Sequence, residues 1–140
     1  MKDDCIFCKI AAGEIPSQTI YEDDSYRVIL DLGPAAKGHA LILPKEHYAD
    51  IFELPEAKAG EVFKLARNMA VKMKAALKCD GFNIVQNNGE VAGQTVFHFH
   101  MHLIPRYTDD GQDINWKPGE PSQDELKETA DIIRGEIQDA

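Results

Sequence analysis

The sequence predicts an α+β domain built on a mainly antiparallel β-sheet, with one long helix and a second helix at the C-terminus. Three observations carry this. Short apolar, β-branched runs follow one another across turn-rich linkers. A single long stretch repeats apolar residues at three- and four-residue spacing. The last segment opens on a capping box. Strands in meander-like succession, interrupted by one long helix, argue against a βαβ series with a parallel sheet. At 140 residues the chain fits one domain spanning residues 1–140.

Tyr26-Arg27-Val28-Ile29-Leu30-Asp31 and His39-Ala40-Leu41-Ile42-Leu43 read as two adjacent strands separated by Gly33-Pro34-Ala35-Ala36-Lys37-Gly38. From about Pro55 to Lys78, Val62, Leu65, Ala66, Met69, Ala70, Met73, Ala76 and Leu77 form the stripe of the long amphipathic helix, and Asp80-Gly81 reads as its stop. That Met and Leu stripe is expected to be core. Cys79 is expected to pack at the helix end. Phe82-Asn83-Ile84-Val85-Gln86 and Val96 to Ile104 read as two further strands, joined by a loop from Asn87 to Gln94. Residues 106–121 read as loop. Ser122-Gln123-Asp124-Glu125 then has capping-box spacing, and Leu126, Ala130, Ile133 and Ile137 form a helical stripe behind it.

Composition excludes several classes of function. Hydrophobic residues are 44% and charged residues 28%, ordinary for a globular chain and far from the disordered regime. The formal charge of -9 argues against a nucleic-acid partner, since such binding needs clustered Lys and Arg to displace counterions. A bound nucleotide would have to be held locally, by backbone amides and imidazoles. The acidic start leads into no apolar signal region, and no run approaches bilayer length. A cytoplasmic protein with no membrane partner is expected. Three cysteines, two of them in Cys5-Ile6-Phe7-Cys8, fit a reducing compartment better than a disulfide framework.

The strand from Val96 to Ile104 carries the chemistry. Side chains alternate along a strand, so His98, His100 and His102 share one face while Phe97, Phe99, Met101 and Leu103 share the other. Three of the chain's five histidines lie on that single face. Neutral imidazole is a nucleophile and protonated imidazole a donor, so the middle residue can attack while its neighbours fix its tautomer or stabilise a phosphoryl group. The loop Asn88-Gly89-Glu90-Val91-Ala92-Gly93-Gln94-Thr95 just before it has two glycines, which let backbone amides approach an anion, and a Thr hydroxyl. Read alone it is equally a hairpin turn. Separately, Cys5-x-x-Cys8 brings two thiolates within reach of one metal, and two imidazoles would complete a tetrahedral set. A redox pair is the competing reading, but it lacks the strand-to-helix context such motifs have.

His98-Phe99-His100-Met101-His102-Leu103-Ile104 resembles the His-φ-His-φ-His-φ-φ signature (φ apolar) of the histidine triad (HIT) superfamily. The likeness continues through Cys5-Ile6-Phe7-Cys8-Lys9-Ile10, Glu14-Ile15-Pro16, Tyr21-Glu22-Asp23-Asp24, Gly38 to Lys45 and Gly93-Gln94-Thr95-Val96-Phe97. It covers residues 5 to about 107, leaving a C-terminal loop and helix at about 108–140, and is closest to the bacterial Hit-like branch of nucleotide-binding hydrolases. The resemblance implies a HIT-like fold, a homodimer and a purine nucleotide as ligand. It implies that His100 is the nucleophile toward the α-phosphate of an AMP-containing substrate, that His102 contacts the phosphate and that His39 supports the site. Asp31 would hold the ribose hydroxyls, and Asn87, Gly93, Gln94 and Thr95 would cradle the phosphate. Thr95 stands where the eukaryotic branch commonly has Ser, and keeps the hydroxyl. Ile6, Phe7, Ile10, Ile15 and Leu32 fall where the family lines the base pocket, although each is equally suited to core. The resemblance also implies a structural Zn2+ on Cys5, Cys8, His47 and His98, with no catalytic cofactor. A nucleoside phosphoramidate is the implied substrate class. A dinucleoside polyphosphate hydrolase and a nucleotide-binding protein with negligible turnover are the alternatives.

Overall fold

A computed structural model describes residues 1–138. In chain order the elements are α1 (Ile6–Ala11), β1 (Thr19–Glu22), β2 (Tyr26–Leu30), β3 (Ala40–Pro44), α2 (Glu56–Leu77), β4 (Gly81–Val85), β5 (Met101–Arg106) and α3 (Gln123–Gln138). The five strands form one sheet in the order β1-β2-β3-β5-β4, and every neighbouring pair is antiparallel. The α+β class and its long and C-terminal helices are as the sequence predicts.

The pleat divides the sheet into two unlike faces. Val28, Ile42, Met101 and Leu103 pack beneath α2, whose buried residues Val62, Ala66, Met69 and Met73 recur at helical spacing. The methionines are thus core, as expected. On the other face Ile29, Leu41 and Leu43 pack with Ala11, and Phe7 and Ile10 lean on that cluster from α1. Leu41 lies opposite His102 in the β3–β5 register, so the histidines belong to the α1 face. Buried Cys79 follows the end of α2.

Four elements differ from the sequence reading. α1 has six residues and β1 four exposed ones, too short for either period to be visible. α2 stops at Lys78, which takes the left-handed conformation at φ 55° and donates its N–H to Lys74 O; the expected stop, Gly81, instead opens β4 opposite Arg106. The strand expected from Val96 begins only at Met101. Extending the β3–β5 register would set Pro44 opposite Phe99, and proline has no N–H to donate to that ladder. Residues 96–100 therefore bend, tethered by a Phe99 N–H bond to Tyr48 O. Phe97 leaves the core and is 49% exposed, whereas Phe99, Met101 and Leu103 are buried as expected.

Gly38 lets the β2–β3 loop close against α2. Its φ is 89°, and a Cβ at this position would run into Leu77. That packing sets the chain entering His39.

Candidate active site

The histidines separate into two groups. His98 is fully buried, donates from Nε2 to Pro44 O at 2.8 Å, and aims Nδ1 at the sulfurs of Cys5 (3.5 Å) and Cys8 (3.4 Å). His47 Nδ1 lies 3.3 Å from Cys8 Sγ. Cys5 caps α1, so both thiols sit on one turn, with the Cys8 N–H on Cys5 Sγ and the Lys2 N–H on Cys8 Sγ. All four ligand atoms lie within 4.8 Å of one another. In a tetrahedral site with Zn–S of about 2.3 Å and Zn–N of about 2.0 Å, sulfur and nitrogen ligands lie about 3.5 Å apart, so this arrangement fits a metal. The Pro44 carbonyl fixes the His98 tautomer, as outer partners of metal-bound imidazoles do.

His100, His102 and His39 form the second group. His100 is buried and its Nδ1 donates to His98 O at 2.7 Å, which leaves a lone pair on Nε2. Phe7 from α1 meets its ring edge-on, with centroids 4.9 Å apart. The neighbouring pair has the opposite polarity. The Ala35 N–H donates to His39 Nδ1 at 2.9 Å, so His39 carries its proton on Nε2, which lies 2.9 Å from His102 Nδ1. His102 then carries its proton on Nε2. One backbone amide, acting through His39, leaves His102 with a donor N–H at Nε2, and one backbone carbonyl leaves His100 with a free lone pair at Nε2.

Burial keeps these rings neutral. It pulls His102 down to about 4, helped by His100 and His39 and opposed by Asp31. It brings His98 to about 4 as well. His39 and His100 are lowered in the same way, each partly offset by Asp31. Burial pushes the Cys8 thiol up, so a divalent cation is what would hold it as thiolate.

The remaining predicted residues are spread around this core. Asp31 takes the Gly33 N–H on Oδ1 and sets Oδ2 3.5 Å from His39 Nε2, so it faces the histidines. Gly93 has φ 99°, and a Cβ there would approach the Asn87 amide at 3.5 Å. Thr95 is exposed, and with Cys5, Ile6 and His47 it lines a hollow of about 320 Å³. Gln94 differs from its expected role. Its buried side chain accepts from the Gly89 N–H and donates to Ala49 O and Val96 O, which leaves only its backbone for a ligand. Of the expected base-pocket residues, Phe7 stands at His100 and Ile10 leans on core, while Ile15 is half-buried and Ile6 and Leu32 are exposed. Pro44, Ala35 and Tyr48 escape sequence reasoning because they act through backbone groups that every residue type carries.

Residues 12–109 match the HIT domain. The chain belongs to the histidine triad (HIT) family. It is similar to a crystallised protein of Streptococcus mutans, at 44% identity and TM-score 0.93 over 98% of this chain and 87% of that one. It is 36% identical over 134 residues to an adenosine 5'-monophosphoramidase of Schizosaccharomyces pombe, covering 95% of this chain and 98% of the relative. A zinc-bound histidine triad family protein of Mycobacterium smegmatis is 36% identical at TM-score 0.75, over 83% of this chain and 84% of that one. Membership places the chain in a family that includes nucleotide hydrolases.

Proposed function

We propose that the chain hydrolyses AMP conjugates of the nucleoside phosphoramidate type through a nucleotidyl intermediate on His100. The observation that carries this reading is the opposed tautomers of His100 and His102. In the first half-reaction the Nε2 lone pair of His100 attacks the α-phosphorus and forms the N–P bond. The bond to the leaving group breaks, and that group departs with its electron pair and a proton from solvent. His102 donates from Nε2–H to a phosphoryl oxygen, with Thr95 and loop amides around Gly93 as further donors and Asn87 beside them. Water then attacks phosphorus, its proton passes to solvent, and the lone pair returns to His100 as AMP leaves. Asp31 holds the ribose hydroxyls. Phe7, Ile10, Ile15, Ile6 and Leu32 contribute the apolar surface for the base.

Cys5, Cys8, His47 and His98 would hold a structural Zn2+ in this reading, tying α1 to the catalytic segment with no open coordination position. The donor set and its spacing support that assignment. His98 then keeps no proton for the leaving group. The protein works in the cytoplasm as a homodimer, in line with its three free cysteines and with the family resemblance. No helix among the described residues is long and apolar enough to cross a membrane.

The test is turnover of an adenosine phosphoramidate against a diadenosine polyphosphate, with AMP release measured. The proposal expects the phosphoramidate to be favoured. Preference for the polyphosphate would replace the substrate class while keeping His100, and turnover of neither would favour a binding protein.

A further inference from the structure

The C-terminal helix is built to pack, yet none of its residues is buried among the described residues of its own chain. Leu126, Ala130, Ile133 and Ile137 lie at i, i+4, i+7 and i+11, one face about 16 Å long. Leu126, Ile133 and Ile137 are 48%, 54% and 67% exposed. Local bonds start the helix, with Ser122 Oγ capping the Glu125 N–H, but a free helix of 16 residues is marginal in water and draws its stability from packing. The Streptococcus mutans relative superposes over nearly the whole chain, so this projecting arm is common to both folds.

On the α2 face, away from the histidines, an apolar groove of about 460 Å³ runs between the C-terminal half of α2 and the β1 edge. Ile20, Leu30, Met73 and Leu77 form its floor and walls. The residues lining it include two lysines, Lys37 and Lys72, and no carboxylate. The arm has the complementary charge. α3 carries five acidic residues against Lys127 and Arg134, and both cations are engaged with Asp131. That leaves Asp124, Glu125, Glu128 and Glu136 for the lysines.

We infer that α3 of one copy seats its Leu126–Ile133–Ile137 face in the α2/β1 groove of a second copy. This rests on the reading that two copies associate, but not on the proposed chemistry. Amide hydrogen exchange of α3 reads docking directly, because the undocked helix is marginal. Ile133→Glu on the arm and Ala76→Glu on the groove, both at exposed positions, should each speed α3 exchange at least tenfold. Ile20→Glu is a second groove variant that leaves α2 intact. An equimolar mixture of arm and groove variants should recover slow exchange in the groove variant's α3, since its intact arm finds an intact groove on the other chain. No such recovery, or α3 exchange unaffected by the groove variants, overturns the inference; loss without recovery means the arm folds onto its own chain. Light scattering separates the two readings, since a dimer with unprotected α3 overturns the arm alone and a monomer overturns both.

Discussion

The two faces of the sheet solve opposite problems with the same strands. On the α2 face, Met101 and Leu103 are held by apolar packing against Val28, Ile42 and Met69, and any chain with the right volumes would serve. On the α1 face, His98, His100 and His102 are held by directional bonds, each ring by a different partner: Pro44 O, His98 O and His39. Burying His98 and His100 and half-burying His102 costs stability unless each ring is bonded, so the polar face tolerates far less variation than the apolar one. The lesson is that the site's chemistry resides in which nitrogen carries the proton, and backbone groups decide that.

The largest expected effect comes from unfastening the α1 face at the proposed zinc set of Cys5, Cys8, His47 and His98. Chelation, or Cys8→Ser, should remove about one zinc per chain and lower the melting temperature by about 10 °C or more, because binding to a closed site is linked to folding. Elemental analysis with melting curves checks this. Cys8→Ser melting like the wild type would place the stability of this face elsewhere.

A smaller effect should follow from breaking the tautomer chain. His39→Ala removes the group between the Ala35 amide and His102 and should cost about 10- to 100-fold in kcat. His39→Gln can still accept from the amide and donate to His102, so it should recover much of that loss. Equal loss in both variants would mean that His39 acts by something other than fixing a proton. Asp31→Asn should mainly raise KM, by about tenfold, because ribose contacts persist from ground state to transition state. A fall in kcat with KM unchanged would assign Asp31 to the histidines it faces.

The smallest effect is on pH dependence. His102 is held at about 4 in the folded chain, against an ordinary 6.5, so between these values the unfolded state binds more protons. Stability should therefore rise with pH from about 4 to 6.5 and level off above. His102→Asn should flatten part of that rise in acid melting curves. An unchanged slope would show that His102 is not kept neutral by the fold.

The α2 face was the more legible in the sequence. Its strand and helix periods survive in Val28, Ile42, Met69 and Met73, because packing on a continuous surface needs regular spacing. The His-φ-His-φ-His pattern marks the other face too, yet alternation misleads at Phe97, where Pro44 ends the ladder and the chain bends. Gln94 shows the same limit from another side. Its residue type suits a ligand contact, but its amide is spent on Gly89, Ala49 and Val96, and tertiary position alone decides between the two. α1 and β1 are set by capping and edge pairing rather than by any period, so they leave no trace to read.

Whether His100 Nε2 bonds to phosphorus is read by mass spectrometry of the intact protein mixed with an adenosine phosphoramidate and quenched at alkaline pH, where phosphorylated imidazole survives. One adenylyl group per chain is expected, mapped to His100 and absent in His100→Ala although that variant still binds nucleotide. Near-wild-type turnover by His100→Ala, or an adduct on another residue, would contradict it.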